Sequence, residues 1–309
     1  MFLKLKAFTS YNYLQNFNKV ASKGFRNNFN KKQNTDSAST TTSTASTYLK
    51  WALLGLGVGG LGYLSYQGGV ARDERLQTML SSSAIVNRAV VIQRTKDTLT
   101  YFGAGLGLTS ILTFGMMRSP TFINFSARMS SRPIMYLMLT IPSIFLTIYG
   151  MNKPATPENS TIKHASWFAF NTLISFTLAP FVYMAGAQLA AQAGLMTAGA
   201  VGGLAYVAYN SKNDAFLGLN GFLAAGSGVM MACAMASFFT NSALVHNVWL
   251  YGGLALFLAY VLYDVNQIKI KAERSAAFDP MAQSVHIYMD TINIFIRILM
   301  ILDSKKRNK

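Results

Sequence analysis

The chain has 309 residues, 51% of them hydrophobic and only 12% charged, about half the charge of a soluble domain, so much of it does not meet water. Its formal net charge of +16 sits in the two ends and the short polar connections rather than on one face, which excludes a nucleic-acid footprint. A single cysteine, Cys233, excludes a disulfide framework and a thiolate metal site.

Residues 1–35 hold Lys4, Lys6, Lys19, Lys23, Arg26, Lys31 and Lys32 and no acid, interleaved with apolar residues such as Phe2, Leu3, Phe8 and Phe17. They lack the apolar h-region of a secretory signal and fit a mitochondrial presequence, although Lys and Asn outnumber Arg. The alternative is a disordered basic tail. Residues 36–47 are a Ser/Thr linker with nothing to bury.

From residue 48 onward, apolar runs of bilayer length recur, at 48–66, 99–117, 133–150, 165–187, 189–209, 216–239 and 245–264, with a charge-interrupted eighth at 284–302. Crossing a hydrocarbon core of ~30 Å takes ~20 residues of helix at ~1.5 Å each. The runs are continuous and lack the period-two alternation of barrel strands, so the expected fold is all-α, a multi-span helix bundle. Residues 48–98 form an extra span with a basic loop, 99–302 the membrane domain, and 303–309 a basic tail. Gly55/Gly59, Gly103/Gly107 and Gly199/Gly203 have the spacing that lets helices approach closely in lipid. The tail suits an anionic lipid such as cardiolipin. It also loosely resembles a dilysine retrieval signal, so the endoplasmic reticulum membrane is the rival to the mitochondrial inner membrane that the leader indicates.

Most acids lie in tails or loops; Asp279, before the last helix, is expected to be a solvated loop acid. Two acids differ. Asp264 closes the apolar run YVLYD, and Asp290 sits inside VHIYMDTINIFIRILMIL. An acid at the centre of a span costs on the order of 3 kcal/mol, so it faces the bundle interior, a partner or water. His286, Asp290, Asn293 and Arg297 fall on one face of the last helix, and Tyr260, Asp264 and Gln267 share a face of the one before. Two readings stand open. In one, Asp264 and Asp290 form a buried pair sharing a proton, because close carboxylates in low dielectric cannot both ionise readily. Losing the proton leaves a cation-seeking pair of hard oxygens suited to calcium. In the other, Asp290 pairs with Arg297 and Asp264 merely ends its helix at the interface.

No enzyme and no cofactor are expected. His164, His246 and His286 lie in different segments, there is no HExxH, GxSxG or P-loop, and LGLGVGGLG falls inside a span.

The C-terminal segments LYGGLALFLAYVLYD (250–264), KAE (271–273) and FDPMAQSVHIYMDTINIFIRILMIL (278–302), with weaker matches such as GLTSILTFGMMRSP (107–120), resemble the Bax-inhibitor (transmembrane BAX-inhibitor-motif) family, and its mitochondrial branch in particular. The resemblance implies six helices around a central C-terminal helix. It also implies a di-aspartyl pH sensor at Asp264 and Asp290, with calcium leak or calcium/proton exchange and protection from cell death. The mitochondrial branch implies cristae organisation and retention of cytochrome c, hence partners among the lipid bilayer and cristae or apoptosis-related membrane proteins. The sequence departs where Val265-Asn266 stand for the family's usual Thr-Gln. For the arginine that partners the pair in bacterial relatives, Arg118 and Arg297 are both candidates. Function divides into an ion pathway at the two acids, or a structural protein that shapes cristae and restrains cell death without transport of its own.

Overall fold

Four helices begin on a proline: Pro120, Pro133, Pro157 and Pro280. Proline fits a first helical turn, where its missing N–H would have no partner in the helix and its fixed φ is already helical. The computed structural model describes residues 87–307, apart from 131–132, 155, 213–214, 237–241 and 276–277. The presequence-like leader, the linker and the extra span at 48–66 lie outside the described residues.

Eight helices and no strand occur among the described residues: α1 (Arg88–Met117), α2 (Pro120–Ser130), α3 (Pro133–Met151), α4 (Pro157–Ala185), α5 (Ala187–Asn210), α6 (Leu219–Ala236), α7 (Ala243–Arg274) and α8 (Pro280–Arg307). A π-helical turn at Val248–Gly252 interrupts α7. Six of them, α1 and α4 to α8, are long and apolar enough to cross a membrane. Between α4 and α5 the chain turns on one residue, Gly186, whose φ of 90° favours glycine.

The last helix is the axis of the bundle. In its apolar stretch 78% of the residues are buried, against 17% in that of α1. It packs directly on α1, α4, α5 and α7, while α3 packs on α4 and α6 on α7. The family-implied placing of the C-terminal helix at the centre therefore holds, with four helices packed directly on it and α3 and α6 in a second layer. Large apolar side chains such as Ile111, Leu146, Leu195 and Leu244 point outward, each more than 70% exposed, the surface that hydrocarbon covers.

Helices extend beyond the predicted spans where polar residues carry them out of the bilayer. α1 starts at Arg88 rather than 99, α7 runs on past Asp264 to Arg274, and the expected loop at 118–132 is largely α2. One of the basic residues read as loop charge has a definite task. Arg94 Nη1 donates to the carbonyls of Ala272 (2.9 Å) and Ser275 (2.8 Å), and its guanidinium lies over the Phe278 ring. The carbonyls at the end of α7 lack partners within their own helix, and a cation is favoured at that end of the helix dipole.

Candidate functional site

The antiparallel helices α7 and α8 are held together at two levels. Near the C-terminus of α7, Lys271 Nζ donates to Gln283 Oε1 (3.1 Å) and to Gln267 Oε1 (3.0 Å). At the other level, the Arg297 guanidinium lies over the rings of Phe257 (4.5 Å) and Trp249 (4.9 Å). Phe257 and Lys271 are fourteen residues apart on α7; Gln283 and Arg297 are fourteen apart on α8. Asp264 is midway between the first two and Asp290 midway between the second two. Seven residues is nearly two full turns, so each acid lies on the same stripe as its helix's two contacts, ~10 Å from either. The register therefore sets Asp264 and Asp290 at one height on facing stripes. Both are buried, at 1% and 0% exposure.

That burial bears on the readings the sequence left open. Asp264 does not end its helix at an interface, since α7 continues to Arg274 and the residues around it, Asn266 and Gln267 included, are buried. Nor is Arg297 spent on Asp290. Its Nη1 donates to the Asn293 carbonyl (3.2 Å) and to Asn293 Oδ1 (3.3 Å), while Nε and Nη2 make no hydrogen bond among the described residues. Two aromatic faces hold the cation instead, an arrangement that stabilises a desolvated guanidinium. Of the two arginine candidates, Arg297 is buried in the seam and Arg118 is exposed at the end of α1.

The remaining seam residues divide. Asn293 is buried and ties Arg297 to its own helix through Met289 O (2.7 Å). Gln267 joins the Lys271–Gln283 contact. His286 is half-buried on α8. The hydroxyl of Tyr260 turns to α6, bonding Ser227 Oγ (2.7 Å) and the Leu223 carbonyl (3.2 Å). It shares the stripe of Asp264 by spacing, but the width of its ring carries the hydroxyl round to the neighbouring helix.

Asp279 corrects the expectation of a solvated loop acid. It forms an ion pair with Lys163, a 5%-exposed lysine on α4 whose Nζ also donates to the Met151 (3.0 Å) and Lys153 (2.9 Å) carbonyls. Its other oxygen caps α8, accepting from the N–H groups of Met281 (3.1 Å) and Ala282 (3.4 Å). Sequence reasoning missed this pair because 116 residues separate its members. It also missed a buried polar cluster at Tyr288, two residues before Asp290, in which Thr109 Oγ1 meets Tyr288 Oη (2.6 Å) and donates to Asn171 Oδ1 (3.2 Å). An asparagine within the apolar run of α4 was the available signal.

No group of three or more His, Cys, Asp or Glu side chains gathers among the described residues. Calcium takes six to eight oxygen ligands. Two carboxylates supply few of them, leaving amide and carbonyl oxygens and water to supply the rest.

A family model described as Inhibitor of apoptosis-promoting Bax1 matches residues 90–308. The growth hormone-inducible transmembrane protein of Rattus norvegicus is 29% identical over 274 residues, 84% of this chain and 76% of that protein. An uncharacterised protein of Helicobacter pylori strain J99 is 26% identical over 228 residues, 72% of this chain and 91% of that protein. Bax inhibitor 1 of Schizosaccharomyces pombe is 30% identical over 142 residues, 46% of this chain and 52% of that protein.

Proposed function

This chain belongs to the Bax-inhibitor family, and we propose that it is a pH-sensitive calcium pathway of the mitochondrial inner membrane, working as a leak or as a calcium/proton exchanger. The observation that carries the reading is the placement of Asp264 and Asp290, level with each other and buried on the facing stripes of α7 and α8. Two carboxylates in a low-dielectric interior hold a shared proton, because ionising both puts like charges together away from water. With the proton the helices stay closed. Without it the pair repels and draws a divalent cation through its oxygens. The chemistry is movement of ions, with no bond made or broken in a substrate.

The family's description as inhibitors of apoptosis-promoting Bax1 supports a part in restraining cell death. The acid-free basic leader supports the mitochondrial location, where a calcium pathway would act on cristae organisation. A fusion of residues 1–35 to a fluorescent protein is expected to enter mitochondria; cytosolic fluorescence, with the full chain in the endoplasmic reticulum, overturns the location.

The pathway is tested with the full chain in liposomes, following calcium and proton flux with and without Asp264→Asn plus Asp290→Asn. Loss of flux in the double variant is the expected result. Equal flux with both acids neutralised overturns the pathway and leaves a structural protein of the cristae membrane.

A further inference from the structure

A cavity of about 540 Å³ opens beside the central helix, lined by the Ile287, Thr291, Ile292 and Phe295 face of α8. Its walls are α1 and α5 and its floor is α4 and α8. On α5 the wall is made mostly of small residues, Ala190, Ala191, Gly194, Ala198, Gly202 and Ala205. On α1 it runs from Leu99 to Phe114, ~22 Å at 1.5 Å per residue. Leu99, Phe114, Ala191 and Gly202 are exposed, so the cavity opens sideways between the two helices rather than toward either end of the bundle. Long, narrow, apolar and laterally open, it has the shape of a hydrocarbon chain.

One residue of the lining adds a polar requirement. Thr113 is 2% exposed, and its hydroxyl has no hydrogen-bond partner among the described residues. Thr95, Thr98 and Thr100 on the same helix each donate to the carbonyl four residues back. For Thr113 that carbonyl belongs to Thr109; Ser175 Oγ from α4 lies 3.3 Å from it, with its one proton shared with the closer Asn171 carbonyl (2.8 Å). The Thr113 hydroxyl makes no such bond and is left without a partner among the described residues. A buried hydroxyl left this way is unfavourable unless a ligand satisfies it.

Depth completes the argument. The apolar part of α1, 99–117, is ~28 Å long, close to the ~30 Å hydrocarbon core. Thr113 lies four residues inside its end, ~6 Å below the boundary, and exposed Arg118 caps the helix at that boundary.

We propose that the cleft between α1 and α5 is a binding site for one glycerophospholipid of the surrounding bilayer. One acyl chain lies along the cleft toward Leu99, an ester carbonyl accepts from the Thr113 hydroxyl, and the phosphate sits by Arg118. The small residues of α5 leave the width of the chain. The phosphate gains a charge-assisted contact that a neutral lipid of the same length does not have.

The test places the full chain in phosphatidylcholine liposomes containing a small fraction of phosphatidylcholine with a diazirine on one acyl chain, followed by irradiation and peptide mapping. Cross-links are expected to concentrate on the cleft faces of 99–114 and 190–205. Ala198→Phe, which fills the cleft, is expected to remove them while labelling at outward Leu195 persists. Thr113→Val is expected to lower cleft labelling about fivefold, the weight of one hydrogen bond. Gly202→Leu is the second filling variant should Ala198→Phe fail to fold. Labelling of the cleft no denser than that of Ile111 and Leu195, or unchanged in both filling variants, means annular lipid only and overturns the site.

Discussion

The guanidinium of Arg297 lies against the backbone of Gly253, so close that a Cβ on that residue would sit 2.7 Å from Nη2 and 2.9 Å from Cζ. Glycine at this position is what lets α7 approach the cation held between Trp249 and Phe257. Gly253→Ala is therefore expected to destabilise the protein by roughly 1–3 kcal/mol, the cost of overpacking a filled interior, despite alanine's better helix propensity. Combining it with Arg297→Gln should recover part of that loss. Thermal unfolding of the four proteins of this cycle in detergent measures the coupling, and additive losses would show that the two residues do not compete for space.

Lys163 and Asp279 bind the start of α4 to the start of α8. Removing one member leaves the other partly buried without its charge partner, and Asp279→Asn also weakens the cap on the central helix. Either Lys163→Met or Asp279→Asn is expected to cost about 2–4 kcal/mol. The double variant should cost less than the two singles together, since no orphan charge remains. Asp279 is for this reason a poor neutral control in a flux assay. Glu158, exposed in the first turn of α4, is the better one.

The sequence made the helix content legible because bilayer-length apolar runs have few other uses. It made Asp264 and Asp290 legible because an acid inside such a run needs a reason. It did not make legible where each long polar side chain turns. Tyr260 and Gln267 share a stripe by spacing, yet one bonds α6 and the other Lys271, because reach around a helix depends on side-chain length. Nor could spacing tell that Arg297 would meet Asn293 and two rings rather than Asp290. Helix periodicity places a side chain on a face but says nothing of which distant helix meets it, and the Lys163–Asp279 pair and the Thr109–Tyr288 contact are both of that kind.

Tyr288 fills the space between α1 and α4 from the central helix, and Gly105 leaves it room: a Cβ there would lie 3.4 Å from the ring and 3.1 Å from Asn171 Oδ1. Tyr288→Phe keeps the ring and removes only the hydroxyl that meets Thr109. The expected loss is about 1 kcal/mol, that of a single buried hydrogen bond. Gly105→Ala should cost as much or more by forcing the asparagine aside. Unfolding midpoints in detergent compare the two, and a silent Tyr288→Phe would mean that the cluster contributes packing and no polar stabilisation.

The pH dependence of flux has a sign fixed by the pair. If the closed state holds the shared proton, closing binds protons and acid favours it; alkaline conditions remove the proton and open the seam. Calcium flux in liposomes should therefore rise with pH. Neutralising one acid as Asn keeps its volume and ends the repulsion, so the remaining carboxylate no longer competes for a proton with a neighbour. Asp264→Asn and Asp290→Asn should each flatten the pH profile, and each should weaken calcium binding by removing one ligand charge. Glu158→Gln should leave both profile and binding as they were, because an exposed acid has no buried partner. Arg297→Gln addresses the remaining alternative: it should lower stability by removing a cation packed against Trp249 and Phe257, yet leave the direction of the pH response unchanged. A profile that keeps its full slope in Asp264→Asn, in liposomes where the unmodified protein conducts, would mean that Asp290 titrates alone or not at all, and the two-carboxylate gate would have to be abandoned.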